Sequence, residues 1–152
     1  MIGQKINKKF PLPFDIVMSL LKKELQRMGF EIFSTTDVKE TFKECLGLDF
    51  KNYTVLSVAN LPLSYKSLLK EEFFGIAFHL NIAVFEKADC TIVGSLNPSA
   101  LAPLIGNESL GDVAEMIEKK FREVLYLLER KTVKIKKGQI QPNPNSFKKA
   151  VA

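Results

Sequence analysis

The chain has 152 residues, 46% hydrophobic and 26% charged, which suits one soluble globular domain with a real core and excludes wholesale disorder. Its formal charge of +5 suggests nucleic acid until the charge is located. Six of the 22 basic residues, Lys131, Lys134, Lys136, Lys137, Lys148 and Lys149, lie beyond residue 130 with no acid among them, so residues 1–130 carry a net −1.

A basic tail on a neutral body, with no interleaved aromatics and no base-reading motif, predicts no sequence-specific nucleic-acid partner. The tail is expected to pack on its own domain or on a dimer mate. No apolar run reaches the roughly 18 residues of a membrane span. The N-terminal apolar run is broken by Pro11, Pro13 and Asp15 and no small-residue cleavage site follows, so a cytoplasmic location is expected. Cys45 and Cys90 cannot build a disulfide framework or a metal site by themselves and read as small reduced packing residues.

Residues 2–9 predict a short first strand. Ile16, Leu20, Leu21, Leu25 and Met28 then recur at helical spacing until Gly29 ends the helix. In the next run, FEIFSTTDV, strand alternation sends Phe30, Ile32 and Ser34 to one face and Glu31, Phe33 and Thr35 to the other. Asp37, with Glu40 three residues on, has capping-box spacing for a short helix that closes at Gly47. The β-branched run YTVLSVAN predicts a third strand, and Pro62 opens about two helical turns.

The stretch GIAFHLNIAVFE, Gly75–Glu86, reads as one alternating strand. Ile76, Phe78, Leu80, Ile82 and Val84 point one way, and Ala77, His79, Asn81, Ala83 and Phe85 the other. A turn at Lys87–Asp89 returns the chain through Cys90–Leu96 as a hairpin, stopped by Asn97 and Pro98. A turn-rich connector precedes the last helix, from about Leu110 to Arg130, with Ser109 or Asn107 as its cap. Val113, Met116, Ile117, Phe121, Val124, Leu125 and Leu128 form its stripe.

The element order predicts an α+β, two-layer domain over residues 1–130: a mainly antiparallel sheet with two long helices packed on one face, followed by a basic, Pro- and Asn-containing extension over 131–152. The other sheet face, bearing Phe85, Ala77 and Ala83 beside His79, is too apolar to be left wet. It is expected to floor a pocket or to form a dimer interface.

Three markers carry a resemblance: Gly29 with Phe30 after the first helix, the strand ending at Ala59 and Asn60, and the strand Leu80–Glu86. From first helix to last the chain resembles the DUF302 family (domain of unknown function 302). The resemblance implies an α+β fold with helices against an antiparallel sheet, a homodimer, and no established activity. Many members carry Cys-Asn-Pro after the third strand and Leu-Pro-Cys or a similar triplet entering the fourth. Here those triplets read Ala59, Asn60, Leu61 and Phe78, His79, Leu80, so the resemblance also implies that any thiol chemistry of the family is absent.

The function expected from these residues is a homodimeric small-ligand-binding or protein-interaction module, with Asn60, His79 and Asn81 as candidate ligand-binding residues and no cofactor. The alternative is an enzyme using His79 as general base, with Asn60 or Asn81 positioning the substrate. Against it, no titratable partner stands near: Glu86 is about 23 Å along the same strand. A single histidine without cysteine or clustered carboxylate is also a poor metal set, and no metal is expected.

Overall fold

Alternating apolar residues build five strands into one antiparallel sheet, which the computed structural model describes, with its helices, over residues 3–77 and 79–142. The strands are β1 (Lys5–Phe10), β2 (Phe30–Asp37), β3 (Tyr53–Asn60), β4 (Leu80–Lys87) and β5 (Cys90–Leu96), in the spatial order β1-β5-β4-β3-β2. The helices are α1 (Phe14–Arg27), α2 (Val38–Leu46), α3 (Leu61–Lys70), the short α4 (Phe74–Ala77) and α5 (Pro98–Leu101), and α6 (Gly111–Lys136). Short 3-10 turns at Ala102–Ile105 and Glu108–Leu110 link α5 to α6.

The two long helices share one face of the sheet, as the element order predicts. Ile6, Phe10, Leu56, Val58, Ile82, Val84 and Val93 face Val17, Leu21 and Leu25 of α1 and Phe121, Val124 and Leu128 of α6 in a single buried cluster. Burying such a side chain is worth about 1.5–3 kcal/mol each, so this layer is the main source of stability. No helix among the described residues is long and apolar enough to cross a membrane.

Three expectations need correction. The fourth strand begins at Leu80, not Gly75: Phe74–Ala77 is a helical turn, and Ile76, assigned above to the core face, is 83% exposed. The reason is pairing. Leu80 lies opposite Val58, and two residues further on β3 turns into α3 at Asn60, so residues 75–77 have no neighbouring strand to bond. They satisfy their backbone locally instead, with Phe74, Gly75 and Ile76 donating to the carbonyls of Glu71, Glu72 and Phe73. Phe78 lies outside the described residues.

The second correction is in β2. A bulge between Ile32 and Ser34 adds one residue, so Thr35 pairs with buried Leu56 while Ser34 pairs with Ser57, which reverses the faces assigned to both. The third is α6, which continues through Lys136 because buried Thr132 and half-buried Ile135 extend its stripe. Lys131, Lys134 and Lys136 are therefore helical. The expected docking of the tail concerns residues 143–152, which lie outside the described residues.

Candidate functional site

Strand alternation places the chemistry of β4. Leu80, Ile82 and Val84 are buried against the helices, leaving Asn81 exposed and Ala83 and Phe85 half-buried on the opposite face. His79 stands just before the strand, half-buried. Its ring meets Phe33 edge-on at 4.8 Å, and Phe33 reaches it because it is the residue the β2 bulge displaces.

His79 and Asn81 come together at a cavity of about 80 Å³ where β4 begins and β5 ends, against the start of α6. Ser95 is the third polar group at its wall. The remaining lining is largely apolar: Phe74, Leu80, Leu101, Ile105, Ala114 and Ile117. The cavity therefore offers an apolar interior with hydroxyl, carboxamide and imidazole groups on its wall. Ser95, Ala114 and the connector residues Leu101 and Ile105 were not legible as site residues, because nothing in their local pattern distinguishes them from packing.

Asn60 is not part of this lining. It is the N-cap of α3, with Oδ1 accepting from the backbone N–H of Leu63 at 3.3 Å and Nδ2 donating to the Gly29 carbonyl at 3.4 Å. Gly29, in the left-handed region at φ +83°, already lies only 3.2 Å from the Asn60 amide at the point where a Cβ would sit, so only glycine fits there without displacement. The carboxamide thus ties the turn after α1 to the start of α3.

A second polar cluster lies at the start of α5. Asn97 caps that turn by accepting from Ser99 N–H at 2.9 Å and donates to the Gly3 carbonyl at 3.0 Å. Ser99 donates its hydroxyl proton to Glu118 at 2.6 Å, and Arg122 closes on the same carboxylate at 2.8 Å. Burial alone would raise the Glu118 pKa. The hydrogen bonds from Ser99, Arg122 and Asn97, with the charge of Arg122, outweigh it and leave the group below the usual glutamate value. Asn107, expected to cap α6, caps the 3-10 turn before it, accepting from Ser109 N–H at 3.0 Å.

The open sheet face carries a row of aromatics. Phe42 of α2 meets Phe50, Phe50 meets Tyr53, and Tyr53 stacks on Phe85 at 5.2 Å with Lys51 over the Phe85 ring. Among the described residues no group of three or more histidine, cysteine, aspartate or glutamate side chains is placed to hold a metal ion. Ala59 and Leu80 are both buried. Cys45 is exposed on α2 and Cys90 opens β5.

No curated protein matches the chain. Among solved structures it is similar to the crystal structure of an uncharacterized conserved protein DUF302 from Bacillus stearothermophilus. The match has a TM-score of 0.74 and 22% identity, and covers 80% of this chain and 94% of that one. At that identity the likeness speaks to the fold. A family model described as "Domain of unknown function DUF302" matches residues 6–128, most of the sheet and both long helices, and on that match the chain belongs to the DUF302 family.

Proposed function

We propose that this protein is a homodimeric binding module that takes a small, mostly aliphatic molecule with one hydrogen-bonding end into the cavity beside His79 and Asn81. The observation that carries the reading is the cavity itself: about 80 Å³, apolar within, with His79, Asn81 and Ser95 on its wall. A cavity of about 150 Å³ takes a benzene ring, so the smaller space here suits a short chain. Asn60 acts on this site through the frame, by fixing the junction of β3 and α3 from which the cavity-side chain departs. The free thiols Cys45 and Cys90 suit a reducing compartment, in line with a cytoplasmic location.

The test is a titration of the labelled protein with n-butanol and with xenon, followed by backbone amide resonances. Saturable shifts at Asn81, Ser95 and Ala114, abolished by Ala114→Leu, are expected. Resonances there that stay unmoved to about 10 mM, weaker than any millimolar affinity, would overturn the reading.

A further inference from the structure

Helix α3 is inside out. It buries Leu63, Ser64 and Ser67, and the two hydroxyls survive burial by donating to the backbone carbonyls of Asn60 at 2.9 Å and Leu63 at 2.7 Å. To the outside it presents Leu61, Tyr65, Leu68 and Leu69, spaced i, i+4, i+7 and i+8, which is the pattern of a helix face meant to be covered. The patch runs on through Phe73 and Ile76 in and beside α4, with Leu69 and Phe73 each 72% exposed.

We propose that a second copy of this chain docks on this face, its α3 antiparallel to the first about a two-fold axis through Tyr65. The spacing is self-complementary: Leu61 and Leu69 stand four residues to either side of Tyr65, so an antiparallel copy brings Leu61 against Leu69 twice and Tyr65 against itself. The size agrees. The exposed parts of these six residues sum to on the order of 800 Å², one partner's share of a standard interface and more than the patch a typical monomer leaves open. The charge gives an anionic membrane no pull, because Lys66 and Lys70 are offset by Glu71 and Glu72 beside the patch and no basic excess remains.

The pairing rests on the dimeric half of the reading above and not on its cavity. A monomeric wild type ends both dimer statements, whereas a wild-type dimer indifferent to changes in α3 ends this one alone. The experiment is size-exclusion chromatography with light scattering at micromolar concentration. The wild type should run at twice the chain mass, and Leu69→Glu and Phe73→Glu should raise the dissociation constant about 10-fold or more while leaving the thermal melt of the monomer unchanged. In a Cys45→Ser, Cys90→Ser background, Tyr65→Cys should cross-link on mild oxidation and Lys66→Cys, on the flank, should not.

A dimer that survives both glutamate variants overturns the proposal. So does one that Phe85→Glu dissociates in their place, since that puts the second copy on the open sheet face. A monomer that co-sediments with phosphatidylserine vesicles through Leu69 and Phe73 also overturns it and gives the patch to lipid.

Discussion

Lys131 of α6 is ion-paired to Glu24 of α1, a carboxylate with no exposure to solvent, and Arg27 approaches the same group from the next turn at 3.3 Å. A buried carboxylate costs several kcal/mol unless it is paired, so this contact fixes how the two long helices sit against each other.

Replacing Lys131 with methionine is therefore expected to destabilise the fold by about 2 kcal/mol, less than for a fully buried pair because Lys131 is partly exposed and Arg27 remains. The double variant Glu24→Leu, Lys131→Met should recover most of that loss. Urea unfolding of the four proteins of the cycle measures it, and an additive double variant would count against the pairing.

Glu118 makes stability depend on acid. Its pKa is lower folded than unfolded, so its contribution is fully present above the ordinary value of 4.5 and is lost as pH falls through the lower, folded value. Glu118→Gln should thus be less stable than wild type at neutral pH, with the gap closing as the solution is acidified below 4.5. Thermal melts across that range test the sign; a gap that widens in acid would reverse the assignment.

Asn60 is expected to behave as a tie rather than as a contact for ligand. Asn60→Ala removes both the cap on Leu63 and the bond to Gly29 and should cost about 1–2 kcal/mol. Asn60→Asp keeps the acceptor, loses the donor, and should fall between. If n-butanol binding falls at Asn60→Ala while stability holds, the residue touches ligand after all.

Gly94 marks a close approach between two strands of the sheet. A Cβ there would sit 2.7 Å from the Asn7 Cβ and 3.1 Å from the Ile6 carbonyl, both on the paired edge strand β1. Gly94→Ala should push β1 away and destabilise by about 1–3 kcal/mol, the range seen when a filled site is overpacked. Hydrogen exchange should accelerate first at Ile6 and Lys8, and a uniform loss across all five strands would argue for a different cause.

Much of the fold was legible. The stripe of α6 and the hairpin of β4 and β5 are each written in periods of 3.6 or 2 that burial enforces, and the Asp37 cap is read from a side chain three residues from the amide it accepts. The alternation from Leu80 to Phe85 likewise placed Asn81 on the face opposite the helices. The stretch from Gly75 to His79 misled because the same alternation continues through it, and alternation cannot report that β3 has already turned away. The inverted face of α3 was unreadable for a related reason: Ser64 and Ser67 look like a solvent face until their hydroxyls are seen to bond their own helix.

By itself the sequence determined the five strands, apart from where β4 begins, and the two long helices, apart from where α6 ends. Those follow from local periodicity and residue identity, which need no knowledge of neighbours. Only the tertiary structure decided that His79 and Asn81 share a cavity with Ala114 and Ile117, that Asn60 is spent on Gly29 and Leu63, and that Glu24 meets Lys131. Each of those depends on which element packs beside which, and residues far apart in sequence carry no mark of the neighbours that packing will give them.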